Sequence, residues 1–450
     1  MKQIEGNTTR PRPRVVIVGA GFAGLNATQA LRKANVDVLI IDRNNYHKFQ
    51  PLLYQVATSG LEPEDIAHNA RDLFRDYGNI SFRLGTVKAI DADQRRLHLH
   101  SGDAVTYDYL ILAAGAVTNY FGIDGVQEYG FPLKNLPDAI DLRNHILRQF
   151  EQADRANGTG PEGALTFVIV GGGPTGVEMA GALVELFDIM QKDYRNVDTT
   201  QANVVLLEMA PHLLPPYPES LRTYTRTVLE KRNVDVRTET TVEKVTKGAV
   251  HLKSGETIPT QTLIWAAGIR GNPIAETMSE DLEKGYRLGT KPDLSVPGYS
   301  DVFVAGDMAG HKDDNGDLLP QVAQVAIQQG AHAARQILRR IKNQPTEAFH
   351  YKDLGQMATI GRNAAVVEFP GGMKLKGFFA WFMWAFVHIW KLVGFRNRLD
   401  VFISWIHNYF TYDRSARLIL DMVPISDEIP HDVEYVNQRV KERMEELEKG

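Results

Sequence analysis

The sequence predicts an α/β protein in which one strand–helix–strand unit occurs twice and a helical region rich in aromatic residues follows. A glycine-rich turn follows an apolar strand at Gly19 and again at Gly171, and each copy later reaches an apolar strand that closes on Ala-Ala-Gly. The number of residues between the first glycine and the closing glycine is nearly the same in the two copies, which run from Gly19 to Gly115 and from Gly171 to Gly268. Such self-similarity indicates one supersecondary unit used twice.

Composition excludes several classes of protein. The 450 residues are 43% hydrophobic, which suffices for several domains at roughly 100–200 residues each. A net charge of −5 supplies no basic field that would attract nucleic acid. With no cysteine, the chain has no disulfide, thiolate metal site or thiol electron relay. No uncharged apolar run approaches the ~20 residues of a spanning helix, and the polar start does not read as a signal peptide, so we expect a cytoplasmic protein.

Each glycine-rich turn has the pattern G-x-G-x-x-G and is followed by a helix, a strand and an acidic residue. The first copy runs from Arg14 through Gly24 to Asp42, and the second runs from Thr166 through Gly176 to Glu208. The glycines permit a tight turn, close approach of a pyrophosphate and close helix–strand packing, while the acid accepts hydrogen bonds from a ribose. The helix N-terminus favours the diphosphate. We therefore predict two nested Rossmann-like dinucleotide-binding domains.

A late apolar strand, Asp301–Asp307, ends in Gly-Asp and precedes the helical stretch 321–340. It resembles the second flavin signature of flavoproteins with two dinucleotide domains, in which the Asp carboxylate holds the ribityl chain of FAD. FAD is therefore expected in the first unit and a nicotinamide nucleotide in the inserted one. The negative charge of Glu208 would repel the 2′-phosphate of NADPH, which favours NADH as the substrate.

With these elements in place, the chain resembles the type II NADH:quinone oxidoreductases. The residues that carry the resemblance are Phe49-Gln-Pro-Leu-Leu-Tyr-Gln-Val-Ala57, Gly171-Gly-Gly-Pro-Thr-Gly-Val-Glu-Met-Ala-Gly181, Ala323-Gln-Val-Ala-Ile-Gln-Gln329 and the aromatic stretch that begins at Leu375. The resemblance implies non-covalent FAD, electrons leaving to a membrane quinone (menaquinone or ubiquinone), and no proton pumping. It also implies a homodimer bound peripherally to the cytoplasmic face of the cell membrane.

The predicted domains are an FAD-binding domain (1–125 and 290–345), an NADH-binding domain (126–289) and a C-terminal domain (346–450). The predicted FAD site consists of Gly19, Gly21, Phe22, Ala23, Gly24, Asp42, Arg43, Gln55, Ala114, Gly115, Gly306, Asp307 and Gln324. The predicted NADH site consists of Gly171, Gly173, Pro174, Thr175, Gly176, Glu178, Glu208, Ala267 and Gly268. Residues 51–56 carry no acid or base and are expected to shape a wall of the flavin pocket. No metal site is predicted.

Four side chains are candidates for catalysis. Glu178 lies in the first turn after the second glycine loop, where an acid either complements the helix dipole or handles protons beside the nicotinamide and flavin. Gln324 and Gln328 are four residues apart and share a helix face, which is either solvated or, as the resemblance implies, in contact with flavin and quinone. The resemblance places Lys376 beside the quinone opening, where it is either catalytic or a basic residue at a membrane rim.

The aromatic region predicts a membrane-docking surface at residues 376–412. Four of the five tryptophans lie between Trp381 and Trp405, in two short predicted helices, Phe378–Trp390 and Leu399–Phe410. Neither helix can span a bilayer, but aromatic rings favour its interface. The cations expected to meet anionic lipid are Lys391, Arg396, Arg398, Arg414 and Arg417. The alternative is a domain core or a dimer seam. Residues 431–450 are expected to form a charged, solvated tail.

The function that these features predict is transfer of a hydride from NADH to FAD and then of two electrons to a membrane quinone. Two alternatives remain: a soluble NADH-dependent flavoprotein reductase, which would lack the aromatic region, and an NADH-sensing flavin-binding protein. Sulfide:quinone oxidoreductase would require cysteines that the chain does not have.

Overall fold

A computed structural model describes residues 12–158, 160–411, 413–414 and 416–420. Residues up to Arg417 form one compact body. Of the C-terminal segment that follows, Leu418–Gly450, only residues 418–420 are described. The predicted charged tail at 431–450 therefore lies outside the described residues. The helices are α1 (Phe22–Leu31), α2 (Leu53–Ala57), α3 (Pro63–Ile66), α4 (Val126–Tyr129), α5 (Leu136–Arg155), α6 (Pro174–Met190), α7 (Glu219–Lys231), α8 (Ala323–Ile341), α9 (Phe378–Lys391) and α10 (Phe395–Thr411).

The strands of the first half are β1 (Arg14–Val18), β2 (Asp37–Asp42), β3 (Tyr46–Lys48), β4 (Ala67–Asn69), β5 (Ile80–Leu84), β6 (Val87–Asp91), β7 (Arg96–Leu99), β8 (Ala104–Thr106), β9 (Tyr109–Leu112), β10 (Ala116–Thr118), β11 (Gly130–Pro132), β12 (Thr166–Val170) and β13 (Asn203–Leu207). Those of the second half are β14 (Val234–Arg237), β15 (Val242–Thr246), β16 (Ala249–Leu252), β17 (Thr257–Pro259), β18 (Thr262–Trp265), β19 (Ile269–Gly271), β20 (Leu288–Gly289), β21 (Ser295–Val296), β22 (Tyr299–Val304), β23 (Ala309–Gly310), β24 (Gln356–Gly361), β25 (Ala364–Glu368) and β26 (Lys374–Gly377).

The first large sheet has the order β21-β22-β9-β1-β2-β5 and is parallel except at β21. Its central strand β1 is buried on both faces, as a continuous Val-Val-Ile-Val run requires. Val15 and Ile17 pack towards α1 and α8, whereas Val16 and Val18 pack towards the β6–β8 layer. The sheet is thus the middle layer of a three-layer unit.

Helices α1 and α8 cross closely on one face of this sheet. A Cβ placed on Gly330 would overlap the carbonyl oxygen of Ala23, so only glycine permits the approach. This contact brings the start of α8 beside the first glycine loop.

The second large sheet has the order β11-β18-β12-β13-β14 and is parallel throughout. All its strands lie in the chain between β9 and β21, so the second unit is inserted into the first. The chain segments that enter and leave the inserted unit run side by side, because β10 on the first pairs antiparallel with β19 on the second. The predicted α/β fold with two nested dinucleotide-binding units is confirmed.

The remaining sheet, β24-β25-β26, is antiparallel and packs on α6 through Gly181, where a Cβ would overlap the carbonyl oxygen of Ile360. Helix α9 lies against β25 and β26, and α10 contacts α3. In the described part of the chain, no helix is both long and apolar enough to cross a bilayer. The C-terminal elements therefore rest on both dinucleotide units.

Candidate active site

A cavity of about 400 Å³ lies at the carboxyl edge of the first sheet and reaches the start of α6. The residues of the two predicted nucleotide sites that line this cavity are Gly19, Gly21, Phe22, Ala23, Asp42, Arg43, Ala114, Gly115, Thr175, Glu178, Gly306 and Asp307. Ligands of open α/β sheets bind at this edge. Residues predicted to bind FAD and two residues from the start of α6, Thr175 and Glu178, therefore line the same cavity.

The first glycine loop has the geometry of a diphosphate cradle. Gly19 has φ +106°, and a Cβ on Gly24 would overlap the carbonyl oxygen of Gly19. A Cβ on Gly21 would instead meet nothing within 4 Å, so this backbone faces open space. The Asp42 carboxylate accepts hydrogen bonds from the N–H groups of Ala20 (2.6 Å) and Asn44 (2.7 Å), which fixes the loop. The residues present fit a bound dinucleotide.

The second loop repeats these features. Gly171 has φ +116°, a Cβ on Gly176 would overlap the carbonyl oxygen of Gly171, and a Cβ on Gly173 would meet open space. Glu208 accepts hydrogen bonds from the N–H groups of Gly172 (2.5 Å) and Ala210 (2.6 Å). Glu208 therefore orders the loop, and its carboxylate retains lone pairs for a ribose.

The remaining predicted NADH residues lie around this loop. Pro174 and Thr175 form the first turn of α6, and Ala267 follows the carboxyl end of β18. A Cβ on Gly268 would lie 2.8 Å from the ring of Phe121, an exposed residue with φ +53°. Phe121 was not predicted, because an isolated aromatic residue in a linker has no sequence signal.

The Gly306–Asp307 turn is held from three sides. The Gly306 N–H donates to the buried Gln329 side chain (2.8 Å), and the Asp307 carbonyl oxygen accepts from Gln321 (2.8 Å). The Asp307 carboxylate lies 3.1 Å from Lys134 Nζ. This arrangement presents the carboxylate to the cavity, as a ribityl-binding Asp requires.

Glu178 lines the cavity as the fifth residue of α6, just after the first turn of that helix. Burial raises the pKa of its carboxyl to about 8, while the Thr359 N–H at 3.4 Å and the Trp384 side chain lower the pKa by less. An acid that only complemented a helix dipole would have a lowered pKa. Glu178 is therefore predominantly protonated at neutral pH and suited to donate a proton.

The structure corrects the expected placement of the helical glutamines. Gln328 does not reach the cavity, because its side chain makes two hydrogen bonds with the backbone of Lys352, at 2.9 and 3.0 Å. Gln324 is not among the lining residues either; Ala323 and Ala326 are. Gln324 is two positions from Ala326 and so lies roughly 200° around the helix from it. The polar residue of this segment that lines the cavity is Gln321.

Gln55 and Lys376 also lie outside the cavity lining. Gln55 does not line the cavity: it donates to the Tyr54 hydroxyl (2.9 Å) and accepts from the Trp405 indole N–H (2.8 Å) on α10. Its neighbour Tyr54 lines the cavity with Gln50, Pro51 and Leu53. Lys376 is exposed on β26, where its ammonium lies 5.3 Å from the ring centroid of Tyr224 rather than at the cavity.

The aromatic region divides into an inner and an outer face. Trp384 is only 2% exposed and stacks on His388 (4.2 Å) and Trp405 (5.4 Å). We define the outer aromatic face by its exposed side chains, which are Phe378, Phe379, Phe382, Phe386, Trp390, Phe395, Leu399, Phe402, Ile403, Ile406 and Phe410. The inner face packs within the protein, and the exposed outer face is the part of this region to which the predicted membrane docking can apply.

Four of the five cations expected at lipid have protein partners: Arg396 pairs with Asp400 (3.5 Å), Arg398 donates to the Leu392 carbonyl oxygen (2.7 Å), and Arg414 and Arg417 are held more extensively. Arg414 is buried, donates to the carbonyl oxygens of Thr58 and Ala182, and pairs with Glu185 at 3.1 Å. Arg417 pairs with Asp193 (2.8 Å) and Asp413 (2.6 Å). The chain after α10 returns to α6, so Arg414 and Arg417 anchor it there.

Sequence reasoning missed several residues of the cavity wall. Lys48, Lys134, Asn135 and Asn272 line the cavity, yet none belongs to a recognised motif. His47, beside Lys48, is buried and its Nδ1 lies 2.8 Å from the carbonyl oxygen of Ala20. Burial lowers the pKa of His47 to about 4, so it supports the glycine loop as a neutral ring.

The fold and the paired loops define a flavoprotein oxidoreductase with two dinucleotide-binding units. Residues 13–330 match the family model described as pyridine nucleotide-disulphide oxidoreductase, and residues 354–412 match the NDH2 C-terminal domain. Type II NADH:quinone oxidoreductase Ndh of Mycobacterium tuberculosis is 38% identical over 428 residues, which cover 91% of each chain. The Staphylococcus aureus enzyme of the same type is 31% identical, over 79% of this chain and 89% of its own. The chain belongs to the type II NADH:quinone oxidoreductase family.

Solved structures agree with the fold. NDH2 of Plasmodium falciparum in complex with NADH superposes with a TM-score of 0.82 at 20% identity, covering 91% of this chain and all of the other. Sulfide:quinone oxidoreductase of Aquifex aeolicus gives a TM-score of 0.69 at 18% identity, over 89% of this chain and 96% of the other. At these identities the likeness concerns the fold alone.

Proposed function

We propose that the protein is an FAD-dependent NADH:quinone oxidoreductase that works at a membrane surface without pumping protons. The observation that carries this proposal is the convergence of the first glycine loop, Asp307 and the start of α6, with Thr175 and Glu178, on one cavity. Bound FAD supplies the redox chemistry: it accepts a hydride from NADH and passes two electrons to quinone. The chain's residues hold, orient and shield the reactants.

The first loop and Asp42 bind the adenosine half of FAD, and Asp307 binds its ribityl chain. The second loop and Glu208 would hold the adenosine half of NADH, and Thr175 and Glu178 are the residues of α6 that would face its reactive end. Hydride transfer requires little beyond correct placement of two reactants, which the shared cavity provides. The absence of cysteine separates the protein from enzymes that pass electrons through a thiol.

Glu178 supplies the proton that quinone reduction requires. Its carboxyl oxygen carries a proton at neutral pH because burial raises its pKa to about 8. Trp384, on the inner face of α9, lies close enough to Glu178 to influence its pKa. A quinone that enters along α9 would therefore meet a protonated acid beside the flavin.

The outer aromatic face supports attachment to a membrane, where a long-tailed quinone such as menaquinone or ubiquinone resides. Removing each large apolar side chain from water contributes ~1.5–3 kcal/mol, so a few inserted residues hold the protein on lipid. The family resemblance extends the proposal to a homodimer on the cytoplasmic face. The match to the NDH2 C-terminal domain favours a membrane quinone over a soluble acceptor.

Steady-state assays test this function. Purified protein supplied with NADH and a soluble quinone analogue should form quinol much faster than it reduces oxygen. Quinol formation no faster than the oxygen background would instead favour an NADH-sensing flavin-binding protein.

A further inference from the structure

A row of basic and amide side chains forms one wall of the cavity. Arg43 and Lys48 both approach the side-chain oxygen of Asn135, each at 3.2 Å. Lys48 Nζ also donates to the carbonyl oxygen of Lys134, and Lys134 Nζ pairs with Asp307. The row therefore connects the residue after Asp42 to the flavin-signature carboxylate.

This wall is assembled from both dinucleotide units. Lys48 ends β3, in the first unit. Lys134 and Asn135 lie between β11, a strand of the second sheet, and α5. Asp138 holds them in place, since its carboxylate accepts the N–H groups of Lys134 (2.9 Å) and Asn135 (2.7 Å). The predicted one-nucleotide-per-domain arrangement is therefore incomplete: the second unit also lines the FAD cavity.

Lys48 is a half-buried cation without a carboxylate partner. No carboxylate in the described part of the chain lies within ion-pair distance of its ammonium, whose hydrogen bonds go to neutral oxygens. Burial, and then the charge of Lys134, lower the pKa of Lys48 to about 8. A buried charge of this kind is unfavourable unless an anion accompanies it. The Lys48 ammonium can therefore pair with an anion that enters the cavity, because the carboxylates of Asp138 and Asp42 act on its charge only from beyond ion-pair distance.

We propose that Lys48 and Lys134 form a two-domain clamp for FAD, in which Lys48 binds the diphosphate and Lys134 positions Asp307 for the ribityl chain. This inference rests on the proposed function. A dinucleotide that meets Asp42 at one end and Asp307 at the other has its diphosphate between them, beside Lys48. Bound FAD then ties the second unit to the first.

The test is release of FAD from the purified holoenzyme, measured by the fluorescence of free flavin at several salt concentrations. Loss of a charge-assisted contact in Lys48→Met should raise the dissociation constant about tenfold to a hundredfold. The salt dependence should also become shallower, because one screened charge pair is gone. Lys48→Arg should recover part of the affinity. Lys244→Met, at an exposed lysine on β15 that does not line the cavity, is the matched control.

Lys134→Met tests the second half of the clamp. FAD should bind more weakly, and added FAD should raise the thermal unfolding midpoint less than in the unaltered protein. If Lys48→Met and Lys134→Met hold FAD as tightly as Lys244→Met, with the same salt dependence, the clamp is wrong and the proposed function stands. If the unaltered protein itself binds no FAD, the proposed function fails.

Discussion

At the scale of single residues, the proposed proton transfer depends on the protonation state of Glu178. Burial raises the pKa of this carboxyl to about 8, so it is neutral at pH 7 and loses its proton as the pH rises through about 8. A role as proton donor therefore predicts activity that is full below this range and declines above it.

Glu178→Gln should slow the reaction with quinone about a hundredfold, within the usual range for loss of a general acid. Flavin reduction by NADH should persist, because glutamine keeps the size of the side chain. The alkaline decline should disappear from the remaining quinone activity. Glu219→Gln, at an exposed acid in the first turn of α7, is the control and should change neither half-reaction. An unchanged pH profile in Glu178→Gln would remove Glu178 from proton transfer.

Glu208 has two roles that substitution can separate. Its oxygens hold the N–H groups of Gly172 and Ala210, and its charge opposes a 2′-phosphate. Glu208→Gln keeps an acceptor for the loop but removes the charge. We expect the ratio of kcat/KM for NADH to that for NADPH to fall about tenfold, equivalent to ~1.4 kcal/mol. A preference equal to that of the unaltered protein would show that another group rejects the phosphate.

At the scale of elements, α9 joins the active site to the outer aromatic face. Its sequence is apolar nearly all round, so the pattern cannot distinguish inward from outward residues. The structure does: Trp384 is 2% exposed, whereas Phe386 is 60% exposed. An apolar helix of this kind has two faces to shield from water, and the described residues cover only the inner one.

Replacing Phe379, Phe382 and Phe386 together with serine should release the protein from liposomes. Each side chain contributes ~1.5–3 kcal/mol when it leaves water, so partition onto lipid should fall at least tenfold. Sedimentation with vesicles of phosphatidylcholine and phosphatidylglycerol measures the change. Phe121→Ser removes an exposed phenylalanine elsewhere and should leave sedimentation intact. Full retention of the triple variant on lipid would indicate a dimer seam in place of a docking surface.

At the scale of the whole molecule, the parts of the site that depend on local backbone geometry could be predicted from the sequence. Gly19, Gly24, Gly171 and Gly176 each sit where a side chain would overlap neighbouring backbone, so the motif itself requires the turn. Asp307 was predictable for a similar reason, because the Gly-Asp turn follows a buried strand directly.

The parts that depend on tertiary packing could not be predicted. Gln328 faces Lys352 because α8 is rotated to bury Ala326 and Gly330 against α1. Lys134 reaches Asp307 from 173 residues away in the chain, through a contact between the two units. No periodicity or spacing signals such a contact.

The central claim is that NADH and quinone react in turn with one flavin in the shared cavity. Anaerobic stopped-flow absorbance on the purified yellow protein tests it most directly. NADH should bleach the visible flavin band in a single turnover, and a second mix with quinone should restore the band at a rate no slower than steady-state turnover. A bleached flavin that quinone restores no faster than buffer alone would contradict the account.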